Sequence, residues 1–322
     1  MKDFPAEVQV SAFAEDVLHG LRQTPKRIAP KYFYDDEGSR IFRQIMQLPE
    51  YYPTRCEYGI LEQHKDEILQ SVADSGRAFE LIELGAGDGL KTKVLLRHFL
   101  GQSVPFSYVP IDISAQALRD LCGELEAELP GLPLKPVEDE YFAALDNLQH
   151  DTSARKVILF LGSNIGNFTK AEALDFLGRL RAKMNRGDWL LVGFDLKKHP
   201  AVILNAYNDA SGVTKAFNIN LLRRINRELD ADFDLSRFDH YPLYNPETGE
   251  ARSYLVSQTQ QSVRIGGLDA TFDFAEGEVV HTEISRKYTI AEMEDLARNA
   301  GFQVFDTFTD EKKYFADVLL RV

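Results

Sequence analysis

From Ala78 to Phe194 the chain alternates short apolar runs with stretches whose apolar residues recur every three or four positions. The runs Phe79 to Leu84, Phe106 to Ile111, Leu134 to Val137, Val157 to Leu161 and Trp189 to Phe194 are bounded by Gly, Pro, Asp or Ser and are predicted to be strands. Between them, Lys91 to Leu100, Ala115 to Leu129 and Lys170 to Met184 carry the helical period. Alternation of this kind predicts an α/β fold with a parallel, doubly wound sheet. The rhythm then breaks. Leu196 to Ser285 holds a helical stretch at Leu221 to Glu228 and alternating runs near Ala251 to Ile265 and Asp269 to Phe274, which predicts a separate, inserted α+β element. Afterwards a helix at Ile290 to Ala300, ended by Gly301, and strands at Gln303 to Thr307 and Tyr314 to Arg321 would bring the sheet to seven. Thr289 and Glu292 stand in capping-box positions at the start of that helix. The expected division is therefore residues 60–195 with 286–322 in the sheet domain, and 1–59 with 196–285 in a second domain.

Composition narrows the partners. At 322 residues the chain can bury a large core, and 44% hydrophobic with 27% charged residues is an ordinary globular balance. A net charge of −13 disfavours nucleic acid, whose binding relies on neutralising phosphates with Lys and Arg. Met1 to Glu7 has neither a basic start nor an apolar stretch of signal length, and the longest apolar runs are strand-sized. A cytoplasmic monomer acting on a small molecule, away from membranes, is the expectation. Cys56 and Cys122 lack metal-ligand spacing, and His98, His199, His240 and His281 are dispersed, so no metal is expected.

The most informative local motif is Glu83-Leu84-Gly85-Ala86-Gly87-Asp88-Gly89, placed between a strand and a helix. Such glycines let the backbone turn tightly and approach a ligand, and helix-start amides face whatever binds there. Asp112, 27 residues after Gly85, ends the next strand, where its carboxylate can accept both hydroxyls of a ribose. Ordinary turns also use glycine; the paired Asp112 is what favours a nucleotide-like ligand. The G-x-G-x-G spacing departs from the G-x-G-x-x-G of dinucleotide sites, which argues against an NAD dehydrogenase. With the acidic residue before the glycines and the expected seven strands, it resembles the Rossmann-like methyltransferases that use S-adenosylmethionine. Glu140 and Tyr141 follow the third strand and could bracket an adenine, although a surface carboxylate beside a core tyrosine fits equally.

Further blocks resemble a narrower family. Lys31-Tyr32-Phe33-Tyr34-Asp35, Leu48 to Arg55, Phe160 to Asn167, Ala206 to Thr214, Asn226 to Leu229 and Thr282 to Ser285 occur in the order found in the histidine-specific N-α-methyltransferases of ergothioneine biosynthesis. The resemblance implies a discontinuous substrate domain and trimethylation of the amino group of L-histidine to hercynine. It implies that Gly85, Gly87, Lys91, Asp112, Glu140 and Tyr141 contact S-adenosylmethionine. Asn167 and Tyr207 would hold the substrate carboxylate, Tyr34 and Tyr51 would lie by the amino group, and Glu283 and Ser285 would engage the imidazole. In isolation, Tyr34 and Tyr51 also fit a core role, Asn167 a helix N-cap, and Glu283 a solvated edge-strand carboxylate. Two positions depart from the family pattern: Asn164 replaces a threonine, and Ser253 replaces a methionine that lines the pocket. The roomier, more polar Ser253 keeps another aromatic amino acid such as tryptophan as an alternative, and a non-catalytic S-adenosylmethionine-binding module is a further one.

Overall fold

A computed structural model describes residues 11–73, 77–148 and 155–322. The reading of Met1 to Glu7 above lies outside those residues. The chain divides into two compact units, Met1–Leu48, Leu204–Tyr244 and Ala251–Glu283 in one, and Pro49–Ile203, Asn245–Glu250 and Ile284–Val322 in the other. Among the described residues no helix is long and apolar enough to cross a membrane.

The larger unit is built on a mixed sheet of seven strands. From edge to edge it runs Gln303–Thr309, Phe315–Arg321, Trp189–Asp195, Arg155–Phe160, Phe79–Leu84, Phe106–Asp112 and Val137–Glu138. The strands from Trp189–Asp195 to Val137–Glu138 pair in parallel, and Phe315–Arg321 enters antiparallel between Trp189–Asp195 and Gln303–Thr309. Alternate residues feed opposite faces, as the period of two requires. Ile82, Leu84, Ile158 and Phe160 pack with Phe176 and Leu177 of helix Lys170–Ala182 and Met293 and Leu296 of helix Ile290–Asn299. Phe79, Leu81, Val157 and Leu159 pack with Ile60, Leu61, Ile68 and Leu69 of helix Tyr52–Val72 and with Leu95 of helix Thr92–Gly101.

Two expectations change in this unit. The third strand shrinks to Val137–Glu138, with Leu134 joined to Tyr108 by an isolated bridge, because Pro133 and Pro136 carry no N–H for the ladder. Helix Tyr52–Val72 begins inside the segment expected in the second domain, but its buried stripe belongs to the sheet's core. The Thr289 capping box forms as predicted.

The smaller unit carries helices Ala12–Leu21, Asp36–Gln47 and Val213–Leu229 and most of a four-stranded sheet ordered Lys26–Arg27, Val279–Arg286, Glu250–Ser257, Phe238–Asn245. The stretch near 251–265 resolves into two strands, Glu250–Ser257 and Gln261–Ile265, in different sheets. The helix expected at Leu221 to Glu228 starts a full two turns earlier. Its buried Asn218 and Asn220 interrupt the apolar stripe, but each is satisfied: Asn218 donates to Thr214 O (3.1 Å) and accepts from Thr282 Oγ1 (2.7 Å), and Asn220 donates to Asp35 Oδ1 (2.8 Å).

A Cβ added at Gly193 would lie 2.1 Å from Glu57 Oε1 and 3.2 Å from Asp317 Oδ1, whereas one added at Gly178 meets nothing within 4 Å. Gly193→Ala should therefore destabilise by about 1–3 kcal/mol, and Gly178→Ala, mid-helix, should stabilise by roughly 0.5–1 kcal/mol. Urea-unfolding midpoints of the two variants check this, and equal midpoints would contradict it.

Candidate active site

The glycine turn follows strand Phe79–Leu84, and its backbone is fixed to the neighbouring strand. Gly85 and Ala86 N–H groups donate to Ile111 O at 2.8 and 3.2 Å, and Gly87 N–H donates to Asp112 Oδ2 at 3.0 Å. The other Asp112 oxygen accepts from Ser114 N–H at 2.9 Å. Gly85, Gly87 and Gly89 all have positive φ. At Gly85 a Cβ would also stand 2.8 Å from the Tyr141 hydroxyl and 3.5 Å from Asn164 Nδ2. Gly162, at φ 78°, is similarly close: its Cβ would lie 3.2 Å from Lys91 Nζ.

Gly85, Lys91, Tyr141, Gly162 and Asn164 thus gather at the carboxyl ends of Phe79–Leu84 and Arg155–Phe160. Those two strands mark the point where strand order reverses, the place where an open parallel sheet takes its ligand. The donor set suits a nucleoside with a carboxylate tail. Asp112 supplies a hydroxyl acceptor, Lys91 a cation, Tyr141 an aromatic edge, and the glycines leave the space that side chains would fill. Glu140 is exposed next to Tyr141, whose ring packs edge-on to Phe160 at 5.9 Å.

Beneath this turn lies a layer of buried carboxyls. Glu83 accepts from Thr92 Oγ1 at 2.5 Å and from the Tyr108 hydroxyl. Burial outweighs those two bonds and pushes its carboxyl up to about 7. Fully buried Glu57 receives the Gly162 N–H at 2.8 and 2.9 Å and pairs with Lys91. Asp317 is also fully buried, and burial, together with the adjacent Glu57 charge, raises its pKa well above the usual carboxylate range.

The residues expected at the substrate fall in both units. In the smaller, Ser253 is buried and donates to Glu283 Oε2 at 3.2 Å, so it orients that carboxylate. Tyr34 is partly exposed and packs edge-on to Phe42 and Phe217, with centroids 5.5 and 5.9 Å away. Tyr207 is buried just after helix Pro200–Ala206. In the larger unit, Tyr51 is half-buried at the start of helix Tyr52–Val72. Asn164 and Asn167 are the two ends of one 3-10 turn, entered through Ser163 at φ 57°. Asn167 does not cap a helix: Thr169 caps Lys170–Ala182 in a capping box with Glu172. Ser285 is buried and accepts from Lys287 Nζ at 2.8 Å.

The family model described as histidine-specific methyltransferase, SAM-dependent, matches residues 13–322. The chain belongs to that family. Its cofactor is accordingly S-adenosylmethionine, and the donor set at the strand crossover fits it. A curated relative, the histidine N-α-methyltransferase of Mycolicibacterium smegmatis, is 39% identical over 95% of this chain and 93% of its own length. Another, the L-tryptophan methyltransferase of Psilocybe serbica, is 30% identical over 95% of this chain and 91% of its own. Among solved structures, an S-adenosylmethionine-dependent methyltransferase from Clostridium acetobutylicum covers 82% of this chain and 92% of its own at 12% identity, with a TM-score of 0.44.

In this methyltransferase the sequence reading missed the charged residues below the turn. Glu57 falls on a helix stripe otherwise made of Pro53, Ile60, Leu61 and Ile68, and Asp317 interrupts the apolar run Phe315 to Leu320. A lone carboxyl inside an apolar pattern was the available signal. Asp195, closing the run from Trp189, carried the same mark, and is described below.

Glu83 gives a pH prediction. Its folded pKa of about 7 lies above the ordinary 4.5, so the folded protein holds the extra proton, and the stabilisation present below pH 4.5 is lost as pH rises through 7. Glu83→Gln, which cannot ionise, should gain on the parent by up to about 3 kcal/mol between pH 5 and pH 8. Urea midpoints at those two pH values measure the gain; a parallel pH dependence in both proteins would contradict it.

Proposed function

We propose that this methyltransferase transfers methyl groups to the α-amino nitrogen of L-histidine, up to the trimethylated product hercynine. The observation that carries the reading is the strand-crossover cradle of Gly85, Gly162, Lys91 and Asp112 in a chain of the histidine-specific family. S-adenosylmethionine supplies, when bound, an electrophilic methyl on a sulfonium. The protein's task is alignment and exclusion of water.

Gly85, Gly87, Lys91, Asp112, Glu140 and Tyr141 form the cofactor side. Asn167 and Tyr207 take the substrate carboxylate through neutral donors, without setting a strong cation beside the sulfonium. Tyr34 and Tyr51 flank the amine; their hydroxyls or water take its proton, and their ring faces accept the growing cation. Glu283, oriented by Ser253, accepts a ring N–H, and Ser285 meets the second ring nitrogen. Asn164 and Ser253 shape the space around the ring. The enzyme works as a cytoplasmic monomer on a small molecule, and its net charge of −13 disfavours a nucleic-acid partner.

A second substrate, L-tryptophan, is favoured by one observation: a relative of 30% identity carries that name. Indole also offers an N–H to Glu283. The deciding experiment incubates the protein with S-adenosylmethionine and each of the twenty amino acids, reading mass gains in methylene steps. Up to three gains on histidine are expected; gains on tryptophan alone, or on none, would overturn the reading. In the same assay Tyr34→Phe should shift the proportions of mono-, di- and trimethylated product by severalfold with little change in histidine KM. An unchanged product distribution would remove Tyr34 from its role.

A further inference from the structure

At the carboxyl end of strand Trp189–Asp195, three buried charges meet. Asp195 Oδ2 pairs with Lys287 Nζ at 2.7 Å, Oδ1 pairs with Lys198, and both oxygens receive the Tyr52 hydroxyl at 2.8 Å. Burial alone would raise the Asp195 pKa, but Lys287 and Lys198 outweigh it and hold it low. Lys198 also lies over the Tyr52 ring, 4.1 Å from its centroid. The main chain fixes Lys287 too: its N–H donates to Gly249 O at 2.7 Å, and the next residue, Tyr288, donates to Asp195 O at 2.9 Å.

Lys287 does more than neutralise Asp195, because the same ammonium donates to Ser285 Oγ at 2.8 Å. An ammonium has no lone pair, so the serine oxygen must accept in that bond. One of its two lone pairs is then used, and the cation so close repels any further N–H that approaches the oxygen. The hydroxyl proton is left to point elsewhere. Glu283 and Ser285 are alternate residues of the strand Val279–Arg286 and so face the same side of it, the first an acceptor and the second a donor.

We propose that Lys287 is a positioning residue that makes Ser285 a hydrogen-bond donor, and thereby selects substrates whose ring carries a nitrogen with a free lone pair. The proposal rests on the histidine reading above. Neutral imidazole has one N–H for Glu283 and one lone pair for Ser285; indole has an N–H and no second nitrogen. Glu283 by itself accepts from either ring, so discrimination falls to the Ser285 hydroxyl and to the cation that sets its direction. Leaving a buried donor unpaired is what penalises the wrong ring.

A purely structural ion pair would hold Asp195 without acting through Ser285, and a double-mutant cycle separates the two. Affinities for L-histidine and for S-adenosylhomocysteine are measured by titration calorimetry, the first on protein saturated with the second. Lys287→Met is expected to weaken histidine binding about tenfold while S-adenosylhomocysteine binding stays within about twofold, and to add less than about twofold in a Ser285→Ala background. Multiplying losses in the double variant, or S-adenosylhomocysteine affinity falling in step, would overturn the proposal. If Lys287→Met does not fold, Lys287→Gln keeps an N–H for Ser285 without the charge; a loss of about threefold that disappears with Ser285→Ala is expected, and an additive one overturns it. A parent protein that binds histidine but shows additive losses rejects the inference alone. One that binds S-adenosylhomocysteine yet prefers tryptophan to histidine rejects the substrate reading and the inference together.

Discussion

The larger unit depends on one buried carboxylate. Glu57 receives the Gly162 amide and the Lys91 ammonium, and so ties the loop after one central strand to the residue that opens the helix after the other. A buried ion pair of this kind returns little net stability, since desolvating both charges offsets much of their attraction. Its value lies in geometry. Removing either partner strands a charge in the core, so the two loops are held in one arrangement, with Gly193 kept free of a side chain to make room. Asp317 lies beside Glu57, its carboxyl pushed well above the usual carboxylate range by burial and by the Glu57 charge. The cofactor turn is thereby preorganised: Gly85 and Ala86 are bonded to Ile111 before any ligand arrives, and Asp112 is bonded to Gly87.

The residues proposed to meet the substrate follow a comparable rule, with polar side chains bonded to other polar side chains. Ser253 orients Glu283, and Lys287 orients Ser285. Ser253, where the family resemblance implies a methionine, is a hydroxyl that spends its proton on the Glu283 carboxylate.

Much of this fold was legible because its central strands are largely buried on both faces and mostly apolar, with Glu80 and Glu83 as the polar exceptions in Phe79–Leu84. Phe79–Leu84 matches its sequence run residue for residue, and Ile290–Asn299 begins at its predicted capping box. Reading failed where backbone or polar chemistry overrides the pattern: at Pro133 and Pro136, which cut the third strand short, and at Asn218 and Asn220, whose side-chain bonds let the helix begin ahead of the expected Leu221. The strand Phe238–Asn245 escaped notice because its residues are only partly buried, although its partner Glu250–Ser257 follows directly, and the bounds of Val279–Arg286 were not drawn because one of its partners, Lys26–Arg27, is distant in sequence. At the site, Gly85 and Asp112 were visible as spacing, whereas Glu57, Asp195 and Lys287 were not. Their roles arise from strands that meet only after folding.

If the loops after Phe79–Leu84 and Arg155–Phe160 form one cofactor cradle, a bound cofactor protects both together. Hydrogen exchange read by mass spectrometry, with and without S-adenosylhomocysteine, tests it most directly. Ligand should slow exchange together in the peptides covering 85–91, 112–114 and 161–167, while the edge strand Gln303–Thr309 is unaffected. Protection confined to the glycine turn, or absent from both loops, would contradict the account.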